Sequence, residues 1–189
     1  MTLSALGIFS AAGAGGAAFS SDYELIETQI LGSTQASIIF SNLGTYSSTY
    51  KHLQVRALVR DNRAIGVNVL AGRFNGDTGN NYTGHGLVGN GSTVTAFRTS
   101  EVDYLHAGLG AGANATSGEY SATVLDILDA YSTSKYKVTR SLTGVAGGPS
   151  VRLYSGLWLN TASITSVTLF DTTASLVAGT RISIYGIKG

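Results

Sequence analysis

The chain has 189 residues, a net charge of +1, only 12% charged side chains and no cysteine. The missing thiols exclude a disulfide framework, a thiolate metal site and a cysteine nucleophile. With no basic block interleaved with aromatics, nothing marks nucleic acid as a partner. A chain of this length fits one domain that buries roughly 70% of its unfolded surface without staples. So weakly charged a surface, at about half the usual share of charge, points to partial cover by a partner.

Residues 1–21, MTLSALGIFSAAGAGGAAFSS, carry no charged side chain. A signal peptide needs a basic n-region, and nothing basic precedes Leu3 or Leu6. A membrane span needs about 20 strongly apolar residues, whereas this stretch is mostly Gly, Ala and Ser. The expectation is therefore an extended N-terminal docking arm over residues 1–22, hinged at Gly13, Gly15 and Gly16, with Leu3, Leu6, Ile8, Phe9 and Phe19 as its apolar anchors. Such an arm orders by burial against a partner, most simply a copy of itself; the plainer alternative is that it packs on its own domain.

From Tyr23 onward short strands alternate with turn residues. Tyr23–Leu31 alternates weakly, and Thr34–Phe40 sets Ala36, Ile38 and Phe40 on one face. Tyr50–Arg60 is the clearest, with Leu53, Val55, Ala57 and Val59 sharing a face, a period of two that marks a half-buried strand. Ile65–Phe74 comes next, with Ile65, Val67, Val69 and Ala71 expected on one side. Asn75–Asn81 and the run through Gly84, Gly86, Gly89 and Gly91 read as two exposed loops. Thr93–His106 is a weaker strand region closed by Gly108–Gly112. Glu119–Leu128, Lys135–Leu142, Val151–Asn160, Ile164–Phe170 and Arg181–Ile187 complete the set, with no capped helical stripe between them. The expected architecture is all-β, a single jelly-roll-like antiparallel β-sandwich of about ten strands over residues 23–189.

Chemical sites are sparse. His52, His85 and His106 lie far apart in sequence, so no metal is expected. The Asn75–Asn81 loop has Asp77 as its sole carboxylate and no following Glu, which favours Asx turns over calcium. No G-x-S-x-G elbow occurs. Asp126, sharing a strand face with Val124 and Leu128, is expected to point inward and to pair with Arg56 or Arg140. Trp158, the single tryptophan, reads as core more readily than as a sugar platform. No catalytic residue and no cofactor are expected.

Several segments resemble the structural proteins of tailed-phage virions, especially from phages of aquatic bacteria. They are Tyr23-Glu24-Leu25-Ile26, Ser48–Arg56, Arg73–Tyr82, Ser155–Thr161 and Arg181–Gly189, spread over nearly the whole chain. The resemblance implies a non-enzymatic protein of the phage particle and brings no catalytic residues. On that basis the expected role is a capsid decoration (cement) or head-fibre protein, a homotrimer held to the major capsid or another virion protein by its arm, without nucleic acid or membrane. The alternative is a tail-fibre module binding host surface glycan, with Asn75, Asp77, Asn80, Asn81 and Tyr82 as its contact loop. An exported bacterial surface or pilus-like β protein is the third reading.

Overall fold

The computed structural model describes residues 21–145, 147 and 150–189. The arm anchors Leu3, Leu6, Ile8, Phe9 and Phe19 lie outside the described residues. The expected all-β sandwich is what forms, with twelve strands among the described residues: β1 (Tyr23–Ile30), β2 (Ser37–Phe40), β3 (His52–Val59), β4 (Val67–Phe74), β5 (Tyr82–Gly89), β6 (Val94–Val102), β7 (Leu105–Ala111), β8 (Ser121–Leu128), β9 (Lys137–Val145), β10 (Ser150–Trp158), β11 (Val167–Asp171) and β12 (Arg181–Ile187). They form two antiparallel sheets, one of eight strands in the order β1-β12-β3-β8-β9-β10-β5-β6 and one of four in the order β2-β11-β4-β7.

Set aside the β5–β6 and β9–β10 hairpins, and the rest reads β1-β12-β3-β8 over β2-β11-β4-β7, which is jelly-roll wiring. Both hairpins join the same sheet beyond β8, so one sheet is twice as wide as the other. The core lies between them. Leu53, Val55 and Val59 of β3, Ile127 of β8, and Ile182 and Ile184 of β12 face Ile38 and Phe40 of β2, Leu70 and Phe74 of β4, and Leu169 of β11.

Two expectations need correction. In β4 the core face is Leu70 and Phe74, not Ile65, Val67 and Val69, which are only half buried. The run from Tyr82 to Gly89 is strand β5, not loop. Its Gly86 sits where a Cβ would come within 2.4 Å of the Phe97 ring and 3.0 Å of Tyr154, so the glycine makes room for aromatics rather than for a turn.

β9 inverts the usual pattern. Its buried face is Lys137, Thr139, Ser141, Thr143 and Val145, while Val138 and Leu142 face outward. The reason lies across the sandwich. β7 is the edge of the four-stranded sheet, bonded to β4 on one side only. On its other side Ser141 Oγ donates to the Ala107 carbonyl at 2.7 Å, and Thr143 Oγ1 accepts from the Leu109 amide at 3.1 Å. Ser121 Oγ donates to the Leu109 carbonyl, and Thr123 bonds Thr143 at 2.6 Å. Buried backbone groups must find partners, and here hydroxyls of the wide sheet replace a missing strand. Gly108 permits the close approach, since a Cβ there would lie 2.5 Å from Thr123 Oγ1. Lys137, fully buried, obeys the same logic: its ammonium donates to the carbonyls of Ser132 (2.6 Å), Lys135 (3.0 Å) and Thr161 (3.1 Å), and burial lowers its pKa.

Thr143→Val keeps the shape but leaves the Leu109 amide unpaired in a buried seam. Urea unfolding should show a loss of about 1–3 kcal/mol. The same change at exposed Thr95 on β6 should cost less than about 0.5 kcal/mol. Equal losses at the two positions would mean that the seam bond is dispensable.

Candidate assembly surface

The expected contact loop lies directly after β4. There Asn75 (φ 52°) and Gly76 (φ 66°) both adopt positive φ, and the Asp77 amide donates to the Phe74 carbonyl at 2.9 Å, a tight turn of the mirror-image type. Asp77 then organises the rest of the loop. Its carboxylate accepts from Trp158 Nε1 at 2.7 Å, Asn81 Nδ2 at 3.0 Å and the Gly79 amide at 2.9 Å. Burial works against the charge, but these three donors outweigh it and hold the carboxyl below its ordinary pKa. Asn75 is equally committed, with Oδ1 accepting from the Thr165 amide and Nδ2 donating to the Ser163 carbonyl.

Tyr82 corrects the expectation of a contact residue. It is fully buried against Phe74 and Trp158, and its hydroxyl accepts from the Phe74 amide at 3.0 Å. Trp158 is buried too, so neither ring can stack on a sugar. Of the five expected contact residues Asn80 alone is exposed. The loop is a structural clasp joining two strand ends.

Among the described residues no three His, Asp or Glu side chains are placed to hold a metal ion. His106 is wedged between Phe97, Tyr104 and Tyr154, and burial, aided by Arg152, lowers its pKa. Asp126 does pair with Arg140, at 2.9 Å, but on the outer face of the sheet, because the inward positions of β8 belong to Ser121, Thr123, Leu125 and Ile127. The most buried acid is Asp61. Its Oδ1 accepts from the Arg63 amide at 2.9 Å, while Oδ2 lies against Gly110 without a partner. Burial, with the neighbouring Asp171 adding to it, pushes its carboxyl up to about 6.

The outer face of the eight-stranded sheet is the feature that stands apart. Cross-strand register aligns its outward side chains in rows. One row runs Arg56–Val124–Leu142–Leu153–Leu87–Ala96, from β3 across to β6. The row beside it runs Leu58–Ala122–Gly144–Val151–Gly89–Val94. Leu142 is 58% exposed, Val151 60% and Val94 76%. Eleven of the fourteen exposed large hydrophobics among the described residues stand on this one face. The third row, Gln54–Asp126–Arg140–Ser155–His85–Arg98, is polar and borders the band. At its β1 end Tyr23 and Tyr185 stack at 4.7 Å with Arg56 over both rings, and Tyr23 donates its hydroxyl proton to Gln54. A depression of about 620 Å³ opens between Arg56, Leu58, Val124, Leu142, Val151 and Tyr185.

Residue order alone does not single out this band as a surface. The signal was present in the alternation of Lys137–Val145, but period two does not say which face is inside. A second concavity, about 640 Å³, lies at the end of the sandwich among Ser47, Thr49, Lys51, Ser132, Lys135 and Lys188. It mixes polar and aromatic side chains, and its Lys135 already pairs with Asp129 at 2.7 Å.

Asp61 generates a prediction with a definite sign. Folding raises this carboxyl from 3.8 to about 6, so the native state keeps the proton to higher pH than the unfolded chain does. Its contribution is therefore complete below about pH 4 and is lost as pH rises through about 6, by on the order of 3 kcal/mol. Asp61→Asn should gain stability relative to the parent chain across that window, measured as the difference in urea midpoints at pH 4 and pH 7. A difference independent of pH would assign the effect elsewhere. Comparison of the chain with family models, with curated proteins and with solved structures finds no match.

Proposed function

We propose that the chain is a non-enzymatic structural protein of a phage particle, a capsid decoration or head-fibre component that acts as a homotrimer and attaches to the major capsid or another virion protein. The sequence resemblance supplies the setting. The observation that carries the assembly role is the apolar band on the outer face of the wide sheet. The largest apolar patch on a soluble protein is often a functional surface, and this one runs across six strands. The band sits on a rigid sheet, so its shape is set before any partner arrives. The buried hydroxyls and Lys137 bond backbone, and Asp77 and Asp126 serve as a clasp and a surface pair, which suits a scaffold.

Attachment would use the band together with the apolar N-terminal segment, and the loops at the ends of the sandwich would face solvent. The double substitution Leu142→Thr with Leu153→Lys makes polar two exposed positions that face each other across β9 and β10. It should leave the unfolding midpoint within about 1 kcal/mol of the parent. Incorporation into particles, measured by quantitative mass spectrometry, should fall at least tenfold. Deletion of residues 2–21 should do the same. Full occupancy of both variants would remove the basis for attachment through this surface.

A second reading retains host-glycan binding but moves it. With Tyr82 and Trp158 buried, an acidic sugar would have to use the cleft at Lys51, since Lys135 and Lys188 beside it are paired with Asp129 and Glu24. Calorimetric titration with uronic-acid and neutral oligosaccharides tests it: binding of the acidic series alone, abolished in Lys51→Glu, would favour an adhesive module, and silence in both series would end that reading.

A further inference from the structure

We infer that Asn90 is a site of slow covalent modification, converting to aspartate and isoaspartate, while Asn75 keeps its amide. The inference concerns the isolated chain and does not depend on the assembly role. Asn-Gly occurs twice in the sequence, at Asn75-Gly76 and at Asn90-Gly91. The chemistry open to both is intramolecular. The glycine nitrogen attacks the asparagine Cγ, the Cγ–Nδ2 bond breaks, and the amide leaves as ammonia with the proton of the attacking N–H. Water then opens the five-membered imide at either carbonyl, giving aspartate or isoaspartate. Glycine favours the step because no Cβ crowds the attacking nitrogen.

The fold separates the two sites. Asn90 closes the β5–β6 hairpin: its amide donates to the Thr93 carbonyl at 3.2 Å, and Gly91 takes a φ of 88° at the first central position of the two-residue turn. Its Oδ1 accepts from the Ser92 amide at 3.0 Å, the Thr93 amide at 2.8 Å and the Thr93 hydroxyl at 3.2 Å. All three donors follow within three residues, so the side chain folds back over the Asn90–Gly91 peptide that carries the nucleophile. They also surround the oxygen on which negative charge gathers during the attack, so these bonds strengthen along the reaction instead of opposing it. Nδ2 and the Gly91 amide have no protein partner among the described residues, and Asn90, Gly91 and Ser92 are exposed.

Asn75 is held differently. Its Oδ1 accepts from the Thr165 amide, the Thr165 hydroxyl and the Ser166 amide, and its Nδ2 donates to the Ser163 carbonyl at 2.8 Å. The carboxamide is thus clamped at both ends onto the segment between β10 and β11. Attack by Gly76 would first have to break the bonds that join two loops. At Asn90 the conversion has a structural consequence. Gly89 and Val94, paired just inside the turn, end one row of the apolar band. A carboxylate at position 90 brings charge to that end, and the extra main-chain methylene of isoaspartate does not fit the two-residue turn that sets the β5–β6 register.

The test needs only the full, unmodified chain. After incubation at mildly alkaline pH and physiological temperature, trypsin releases both asparagines in one peptide, Phe74–Arg98, which has no internal Lys or Arg. Fragment ions then report both conversions from the same molecule, and electron-transfer fragmentation separates aspartate from isoaspartate. In the folded chain Asn90 should convert at least tenfold faster than Asn75, with isoaspartate among its products. In a synthetic peptide of the same sequence the two rates should converge, because the clamp on Asn75 is gone. Equal rates in the folded chain would overturn the inference. So would a folded chain in which Asn90 is slowed, relative to the peptide, as much as Asn75 is.

Discussion

The hydrogen-bonded seam between the edge of β7 and the hydroxyls of β8 and β9 is the constraint on which the rest of this structure depends. A four-stranded sheet packed inside an eight-stranded one leaves an edge strand over the middle of its wider partner. That edge is buried, and its amides and carbonyls have no strand to pair with. Ser121, Ser141 and Thr143 supply the partners from across the sandwich. Small hydroxylated side chains are required here, because anything larger would hold the sheets apart and anything apolar would leave the backbone unsatisfied.

The seam has a consequence on the opposite side of the same strands. Side chains alternate strictly, so once Ser141 and Thr143 point inward, Leu142 must point outward. Its neighbours in register, Val124, Leu153 and Leu87, complete an apolar row on a surface that would ordinarily be polar. The two hairpins widen that row from a patch on two strands into a band across six. What is unusual inside the sandwich and what is unusual outside it are thus one feature seen from two faces. This links the packing of the core to the proposed assembly role.

Much of the fold was legible from residue order. The strand centred on Val55 was plain, because its apolar and polar positions alternate without ambiguity. The strands near each end of the described residues, and the absence of long helices among them, came from the same rhythm. β5 was not legible. Gly84, Gly86 and Gly89 look like turn residues, yet Gly86 is flat because Phe97 and Tyr154 close over it. Trp158 read as core and is buried, but Tyr82 looked able to serve a ligand because exposure cannot be read from residue type; in the fold both rings and Asp77 clasp two strand ends together.

By itself the sequence determined the all-β class, the sandwich architecture, the lack of thiol chemistry and the uncharged character of the first twenty residues. These rest on composition and on local periodicity, which no tertiary contact can alter. Only the tertiary structure decided that both hairpins join one sheet, that Asp126 faces outward and that hydroxyls rather than leucines form the inner face of β9. The physical reason is that a period of two defines two faces but does not label them. Which face is buried depends on what lies across the sandwich, and here that is an edge strand in need of hydrogen bonds.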